Sequence, residues 1–365
     1  MQPYKEFGME EYRLDSHKLV YHPDKVAGWL KEGDAFPINV ELGISGACNH
    51  RCVFCCMDYM GYKPQFLSAG LLLPNLSEMY QNGLKSVVLA GNGEPLLNRD
   101  AVEIVNGTKA IGLDIAMSTN GVLFTKEVAD SCMGALSWVR FSTSAYSDGN
   151  YQKVHGAQPG DIKKVFDNMA YAVELKRKKN LDTTIGVQLV LIPENMEDAY
   201  RLGREARDIG VDYFSVKSFG YQPQSNSELK DGFDREAFYA RQEELESQIA
   251  SLNTESFRGI YRRGRIEKAK EQRTYKECHA LPFYSFVDSS GDVCPCCTLL
   301  GNDGMCFGNL YERSFVEIWK GRERRHVIGR IKESGLVQCS LDCRLDEMNR
   351  YLQELKFPNA HVNFI

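Results

Sequence analysis

Short runs of apolar, β-branched residues alternate with longer amphipathic stretches from residue 38 onward. Six runs are typical of buried strands, and they cover residues 38–44, 86–91, 114–119, 138–143, 184–192 and 213–218. The stretches between them have helical spacing, as in residues 161–179, where Ile162, Val165 and Met169 recur behind Asp161 as the expected N-cap. This alternation predicts an α/β fold with a parallel sheet covered by helices. We expect a partial (β/α)6 TIM-like barrel, because six units are too few for the closed barrel of eight.

The composition of the chain changes after about residue 225 and predicts five segments. They are an N-terminal extension (1–37), the partial barrel (38–225), a helical linker (226–274), a small cysteine-rich domain (275–346) and a C-terminal tail (347–365). The small domain carries seven of the twelve cysteines, together with turn signals in DSSGD and GNDG. We interpret it as a domain that bound metal holds together.

Charge and hydropathy exclude several classes of protein. The chain combines 44 Lys and Arg with 49 Asp and Glu, a net charge of −5, which argues against a general nucleic-acid-binding protein. No apolar run approaches the roughly 18 residues of a membrane span, and the N-terminus is too polar for a signal peptide, so we expect a cytoplasmic protein that does not bind membranes. Clustered cysteines in that reducing compartment indicate metal or redox chemistry rather than a disulfide framework.

Residues 258–276 form a local exception to the acidic balance. They contain eight Lys and Arg against two Glu. They are either the solvated face of a linker helix or a contact for a phosphate-bearing substrate, since Arg and Lys match phosphate oxygens.

Unusual residues follow the predicted strands directly and therefore share one rim of the barrel. The first is CNHRCVFCC, in which Cys48, Cys52 and Cys55 have the spacing CxxxCxxC. Three thiolates on a short loop can each bind one iron of a four-iron cluster and leave the fourth iron open. A structural zinc is one alternative, but it would have to recruit Cys56 or His50 as its fourth ligand. An ordinary ferredoxin cluster with a distant fourth cysteine is the other alternative.

The CxxxCxxC motif after the first of six βα units resembles the radical S-adenosylmethionine (SAM) superfamily over about residues 38–220. The resemblance implies that SAM chelates the open iron of a [4Fe-4S] cluster. It also implies reductive cleavage of SAM to methionine and a 5′-deoxyadenosyl radical, which takes a hydrogen atom from the substrate. A reducing electron donor such as flavodoxin or ferredoxin is then the expected partner.

The resemblance also implies contacts to SAM around the rim. AGNGEPLL is similar to the family's GGEP segment, which receives the amino group of SAM, although Asn92 interrupts the first glycine doublet. MSTNG resembles the ribose-contacting segment, and VLIPEN resembles the segment at the adenine edge. The expected cofactor-binding residues are Phe54, Gly91, Gly93, Glu94, Pro95, Ser118, Asn120 and Ser142, with Ser144 as an alternative to Ser142.

The later cysteines resemble in their order the SPASM/twitch extensions of radical SAM enzymes. The resemblance implies one auxiliary [4Fe-4S] cluster bound by Cys278, Cys296, Cys339 and Cys343. Cys294 and Cys297 crowd the same turn, so the ligand choice there stays open, and zinc bound by four thiolates is the structural alternative.

Three further cysteines are not assigned to a cluster. We expect Cys132 to be a buried small hydrophobe, Cys306 to be a loop thiol rather than a hydrogen-atom donor, and Cys56 to pack beside the first cluster.

An auxiliary cluster that is fully ligated by protein is suited to moving an electron, which favours net oxidation. We therefore predict a radical SAM oxidoreductase that oxidises an alcohol of a small polar substrate, such as a sugar or aminocyclitol, with a nucleotide-linked form as one option. The reaction needs a base near the barrel mouth, and the candidates are Lys217, Tyr151 and His155.

Three other functions stay open at this point. The same radical can start redox-neutral epimerisation, dehydration or decarboxylation. Peptide maturation is a second enzyme class, but the 37 residues before the first strand are too few for the usual leader-recognition domain. An electron-transfer or zinc-binding interaction protein is the non-enzyme alternative, and the ordered rim motifs count against it.

Overall fold

The computed structural model describes residues 12, 14, 17–220, 222–230, 238, 240–262, 273–337, 339–340 and 343–364. Within these residues, no helix has both the length and the apolar character needed to cross a membrane.

Six parallel strands form the barrel, and each pairs with the next along the chain. The strands are β1 (Asn39–Leu42), β2 (Ser86–Leu89), β3 (Asp114–Thr119), β4 (Leu136–Ser142), β5 (Thr184–Leu191) and β6 (Tyr213–Ser218). The first seven helices are α1 (Pro23–Glu32), α2 (Ala69–Gln81), α3 (Ala101–Ile111), α4 (Lys126–Cys132), α5 (Asp148–His155), α6 (Asp161–Lys179) and α7 (Met196–Ile209). This arrangement confirms the predicted partial (β/α)6 barrel.

Alternate residues of each strand face opposite sides of the sheet. Phe141 on β4 and Phe214 on β6 are completely buried in the apolar core beneath the helices. The residues that alternate with such core residues, for example Arg140 on β4 and Gln188 on β5, face the concave side of the sheet, which we call the lumen. The strands that appear as apolar runs in the sequence therefore also carry polar residues at lumen-facing positions.

The start of α6 differs from the prediction by one residue. Gly160 is the N-cap and Asp161 is the first helical residue. The Asp161 carboxylate accepts a hydrogen bond from the N–H of Gln158 (3.1 Å) and pairs with Lys164 (2.9 Å). A carboxylate in the first turn still favours the helix, because it lies at the positive end of the helix dipole.

The segment predicted as a helical linker contains a strand as well as a helix. α8 (Gln242–Ala250) is helical, whereas β7 (Arg258–Arg262) pairs in parallel with β6. The edge of β6 offers unpaired backbone groups, and pairing with them outweighs the charged character of the local sequence. The first part of the basic stretch is thus strand rather than solvated helix, and residues 263–272 lie outside the described residues.

The C-terminal residues extend the same sheet on its other side. β8 (Tyr284–Val287) pairs in parallel with β1 and forms a hairpin with β9 (Asp292–Cys294), which pairs with β10 (Gly308–Asn309). The full strand order is β10-β9-β8-β1-β2-β3-β4-β5-β6-β7. The remaining helices are α9 (Phe315–Lys320), α10 (Arg322–Ser334) and α11 (Asp346–Lys356).

α11 occupies most of the segment predicted as a C-terminal tail. The side-chain oxygen of Asn349 accepts hydrogen bonds from the N–H groups of His279 (2.6 Å) and Ala280 (2.9 Å). Leu352 is completely buried against Trp29 of α1 and Phe283. The helix is therefore packed onto the segment that carries Cys278.

Candidate active site

The CxxxCxxC loop lies at the carboxyl end of β1 and is bound to the end of α5. The N–H groups of Arg51 and Val53, which flank Cys52, donate to the carbonyl oxygens of His155 (2.8 Å) and Val154 (3.0 Å). Gly156 follows with a φ of 55°, and a Cβ there would overlap the backbone of the loop. The loop and the helix end are thus held in one arrangement.

A second segment covers the loop from the other side. The hydroxyls of Ser225 and Ser227 donate to the carbonyl oxygens of Cys55 (3.2 Å) and Val53 (2.5 Å). Gln222 in the same segment donates to the carbonyl oxygen of Thr298. Residues 222–227 therefore connect the loop to the C-terminal region, although residue 225 was the predicted end of the barrel.

The thiols of Cys48, Cys52 and Cys55 lie close enough to influence one another. Burial raises the pKa of all three, and for Cys52 the neighbouring Cys55 and Cys48 raise the pKa further. The Cys48 sulfur accepts a hydrogen bond from the N–H of His50 (3.5 Å). The pKa of Cys55 is partly lowered by a hydrogen bond to Tyr62. Such donors favour the thiolate form that binds iron.

The sulfurs of the loop are not grouped closely enough for a single zinc ion. Sulfurs bound to zinc at about 2.3 Å in a tetrahedron would lie about 3.8 Å apart. In the described part of the chain, no three cysteine sulfurs lie within 4.8 Å of one another. The three thiols are thus not grouped for a single zinc ion, and the four-iron cluster stays the expectation.

The GNGEP segment after β2 packs directly against the backbone near the cysteine loop. The N–H of Glu94 donates to the carbonyl oxygen of Ala47 (2.8 Å). A Cβ on Gly93 would collide with the carbonyl oxygens of Ser45 and Ala47, so this position requires glycine. Gly91 has a φ of 129°, which also favours glycine.

We expect Gly93→Ala to weaken SAM binding at least about tenfold and to lower the free energy of unfolding by about 1–3 kcal/mol, because the added methyl group overpacks this contact. SAM titration of the reconstituted protein and thermal unfolding measure the two effects. Gly70→Ala on α2 is the matched control, since a Cβ there meets no atom within 4 Å. Wild-type SAM affinity in Gly93→Ala would contradict the expectation.

Asn92 replaces a glycine of the familiar doublet, and the structure shows how it fits. Its side chain is buried and points toward Gly43, where a Cβ would lie 2.7 Å from the Asn92 side-chain oxygen. Because Gly43 has no side chain, the space beside it accommodates the side chain of Asn92.

The Glu94 carboxylate joins the loops that follow β2 and β3. It accepts hydrogen bonds from the Thr119 hydroxyl (2.7 Å), the Asn120 N–H (2.7 Å) and the Leu96 N–H (3.2 Å). Burial nevertheless raises the pKa of this carboxyl group. The Asn120 amide in turn donates to the side chain of Asn49 in the cysteine loop (2.7 Å). Glu94 thus positions the predicted ribose-contacting segment.

The other predicted SAM contacts surround the same mouth. Ser118 and Ser142 are partly exposed at lumen-facing positions of β3 and β4, and Pro95 is buried behind Glu94. Phe54 is partly buried and meets the His155 ring edge-on, with ring centroids 5.4 Å apart. Their contacts to SAM stay predictions.

The three candidate bases differ in their placement. Tyr151 is fully buried, and both ring nitrogens of His155 are engaged, by the N–H of Ser144 and by the Cys52 sulfur. Neither side chain reaches the lumen, because α5 holds both behind the cysteine loop. Lys217 is partly exposed at a lumen-facing position of β6, so it is the candidate that can meet a substrate.

The predicted auxiliary ligands Cys278, Cys296, Cys339 and Cys343 form a second group. Burial raises the pKa of Cys278 to about 11 and that of Cys296 to about 12, with further contributions from the neighbouring cysteines of the group. Cys343 shows the same mutual influence. Asn349 of α11 donates a hydrogen bond to the Cys278 sulfur (3.5 Å). The fold thus brings together four thiols that are distant in sequence.

The remaining cysteines have other environments. Cys294 forms a disulfide with Cys306, so the prediction of a loop thiol at Cys306 is wrong. The antiparallel pairing of β9 with β10, in which Val293 lies opposite Gly308, brings the end of β9 close to the segment just before β10. Cys132 is 2% exposed, as expected for a small buried hydrophobe, whereas Cys56 is exposed and Cys297 is partly buried.

Two family models match the chain. The Radical SAM superfamily model covers residues 42–206, and the model of the SPASM iron-sulfur cluster-binding domain covers residues 278–344. These matches agree with the CxxxCxxC loop in the barrel and with the second cysteine group beyond it.

Curated proteins that are similar to the chain include a heme synthase and a cyclase. An AdoMet-dependent heme synthase of Methanosarcina barkeri is 26% identical over 302 residues, which cover 77% of this chain and 81% of the relative. A probable GTP 3',8-cyclase of Saccharolobus solfataricus is 28% identical over 174 residues, which cover 47% of this chain and 54% of the relative. The chain thus spans about half the length of that cyclase.

Solved structures share the fold. SuiB of Streptococcus suis bound to S-adenosylmethionine has a TM-score of 0.67 at 17% identity, with 86% of this chain and 72% of that chain covered. The structure of anSMEcpe with bound AdoMet and Kp18Cys peptide has a TM-score of 0.58 at 14% identity, with 88% and 99% covered. The chain therefore carries a radical SAM superfamily domain over residues 42–206, with a SAM-binding [4Fe-4S] site, and a SPASM iron-sulfur domain over residues 278–344.

Proposed function

We propose that this enzyme oxidises an alcohol group of a small polar substrate, with the auxiliary cluster as the electron acceptor. A sugar or an aminocyclitol is the substrate class that we favour. The observation that carries the proposal is the contact of Glu41, at a lumen-facing position of β1, with Arg344, the neighbour of the auxiliary cysteine Cys343.

Glu41 marks the auxiliary end of the lumen. It lies on β1 and is buried, and its carboxylate accepts hydrogen bonds from the Tyr284 hydroxyl (2.8 Å) and from the Arg344 guanidinium. Arg344 directly follows Cys343 in the chain. A substrate in the lumen would therefore lie between the site of radical formation and the group that takes the electron.

The side chains of the lumen suit a polar substrate with negative charge. Gln188 and Ser215 lie opposite each other on β5 and β6. Arg140, Lys217 and Arg262 occupy lumen-facing positions on β4, β6 and β7, with Lys217 opposite Arg262. Arg and Lys match phosphate and carboxylate oxygens, which supports a phosphorylated or nucleotide-linked substrate.

SAM, Lys217 and the auxiliary cysteines each have a separate role in the proposed oxidation. When bound at the first cluster, SAM supplies the 5′-deoxyadenosyl radical that removes a hydrogen atom from the carbinol carbon. Lys217 takes the hydroxyl proton, and one electron leaves toward the cysteines beside Arg344, so that the alcohol becomes a carbonyl. The protein orients the carbinol and excludes water from the lumen.

The proposal is tested with phosphorylated and free sugars that carry deuterium at a single carbinol carbon. We expect deuterium in 5′-deoxyadenosine, one carbonyl product for each deoxyadenosine, and an EPR signal of the reduced auxiliary cluster in samples frozen during turnover. Deuterium transfer with a product at the oxidation level of the substrate would instead indicate epimerase, dehydratase or decarboxylase chemistry. Turnover of peptides alone would indicate a maturase.

A cationic cavity favours an acidic electron carrier such as flavodoxin or ferredoxin as the partner. The cavity has a volume of about 330 Å³ and lies between α1, α10 and α11, with Cys278 in its wall. Its lining contains the cations Arg324, Arg325, Lys332 and Lys356 and one carboxylate, Asp34. Asp34 pairs with Arg324, and both lysines pair with Glu277, so the cations outnumber the acidic groups by two. Opposite charges on a carrier would speed its association with this face.

We expect the double variant Lys332→Gln and Lys356→Gln to slow carrier-driven turnover several-fold at low ionic strength. The difference should shrink in salt, because both side chains are exposed and their charges are screened. Turnover driven by dithionite is the control and should stay unchanged. An equal loss with both reductants would place these lysines in folding or substrate binding instead.

A further inference from the structure

We propose that His155 is a positioning residue for the first cluster, whose ring donates a hydrogen bond to the Cys52 sulfur and so raises the reduction potential of the cluster. The inference depends on the radical SAM superfamily domain and not on the substrate proposed above. It assigns a use to a buried histidine that has no access to the lumen.

The backbone decides which ring nitrogen carries the proton. The N–H of Ser144 lies 2.8 Å from Nε2 of His155, and an N–H group can only donate. Nε2 must therefore offer its lone pair, and the proton of the neutral ring is on Nδ1. Nδ1 lies 3.3 Å from the Cys52 sulfur. The N–H of His155 is thus aimed at a cluster ligand.

The ring cannot easily turn away from this sulfur. Tyr151 stacks on it with a centroid distance of 4.3 Å, and Phe54 packs against it edge-on. The carbonyl of His155 also accepts the N–H of Arg51, so the backbone of the same residue holds the cysteine loop. His155 therefore contacts Cys52 through its side chain and Arg51, the neighbour of Cys52, through its backbone.

Ser144 is itself fixed by the loop that follows β5. Its hydroxyl accepts the N–H of Val190 (3.1 Å), and its carbonyl accepts the side-chain amide of Asn195 (2.7 Å). Asn195 belongs to VLIPEN, the segment expected at the adenine edge of SAM. The orientation of the His155 ring is thereby coupled to the SAM-binding rim.

A metal ion held by His155 is the competing explanation. Ligand atoms of His50, Cys52 and His155 lie within 4.8 Å of one another. Metal binding at Nδ1 would require the lone pair there and the proton on Nε2, which would then oppose the N–H of Ser144. The hydrogen-bond arrangement therefore favours donation to sulfur.

A donor at a cluster sulfur stabilises the reduced form, because that form carries one more negative charge. The direct test compares His155→Phe with His155→Asn by potentiometric titration followed by EPR. The first cluster is recognised by the change in its signal when SAM binds. Phe keeps a ring but has no donor, whereas the side-chain nitrogen of Asn can take the place of Nδ1.

We expect the ratio of reduced to oxidised first cluster at a fixed potential to fall about tenfold in His155→Phe, a shift of about 59 mV for one electron. His155→Asn should stay close to wild type. Tyr151→Phe is the matched control, since it keeps the stacked ring and removes a hydroxyl for which the described structure shows no partner. Equal potentials in wild type and His155→Phe, at equal iron content, would overturn the proposal.

A second measurement covers the case in which His155→Phe does not assemble the cluster. Wild-type protein labelled with ¹⁵N only in the histidine rings, which leaves the His50 backbone N–H at Cys48 unlabelled, should show a nitrogen coupling to the reduced first cluster in pulsed EPR, and His155→Asn should lack it. Absence of the coupling in wild type, or its persistence in His155→Asn, would reject His155 as the donor.

Discussion

Simultaneous replacement of Cys48, Cys52 and Cys55 by alanine is expected to abolish 5′-deoxyadenosine formation and to remove about four irons from each chain. These residues are the only cysteines within the CxxxCxxC spacing, and their sulfurs lie together at the carboxyl end of β1. About four irons and a reduced-state EPR signal should remain, because the auxiliary cysteines form a separate group beside β8 and α11.

The measurement is anaerobic reconstitution with iron and sulfide, followed by iron analysis, EPR and chromatography of SAM cleavage products. Cys132→Ala is the matched control, since this buried thiol lies on α4, away from both groups. An iron-free but folded triple variant would show that the auxiliary cysteines bind no cluster. Substrate oxidation would then lose its electron acceptor.

Lys217→Met is expected to lower carbonyl formation by about 10²–10⁴-fold while 5′-deoxyadenosine is still produced. Methionine keeps the length of the side chain in the lumen but cannot accept a proton. Hydrogen-atom removal does not depend on this base, so the two products should become uncoupled. Quantification of both products in the same reaction detects the effect.

Lys217→Arg separates the base from the charge. Arginine keeps the positive charge but stays protonated at all accessible pH values, so it should be as poor a base as methionine. Recovery of product formation in Lys217→Arg would mean that residue 217 binds an anionic group of the substrate. Unchanged product formation in Lys217→Met would exclude both roles.

The barrel could be predicted because its strands are buried beneath helices and therefore appear as apolar runs. β7 could not, since RGIYR carries two arginines and pairs with β6 only in the folded sheet. The disulfide between Cys294 and Cys306 depends in the same way on the pairing of β9 with β10. Each of these features is fixed by long-range register, which local sequence does not encode.

The candidate site shows the same limit. The cysteine spacing and the order of the rim motifs indicate the cofactor, because those residues are local in sequence. The partners of His155 are not local, since Ser144 is 11 residues away and Cys52 is 103 residues away. The accommodation of Asn92 by Gly43 likewise depends on two neighbouring strands.

The parallel pairing of β8 with β1 also has a consequence for the order of folding. Tyr284 reaches Glu41 across 243 residues, so one side of β1 has no strand partner until most of the chain has left the ribosome. Pairings of such high contact order form slowly, and an unpaired strand edge invites association with other chains. Barrel fragments that end near residue 225 should therefore aggregate, and cluster insertion should follow completion of the whole chain.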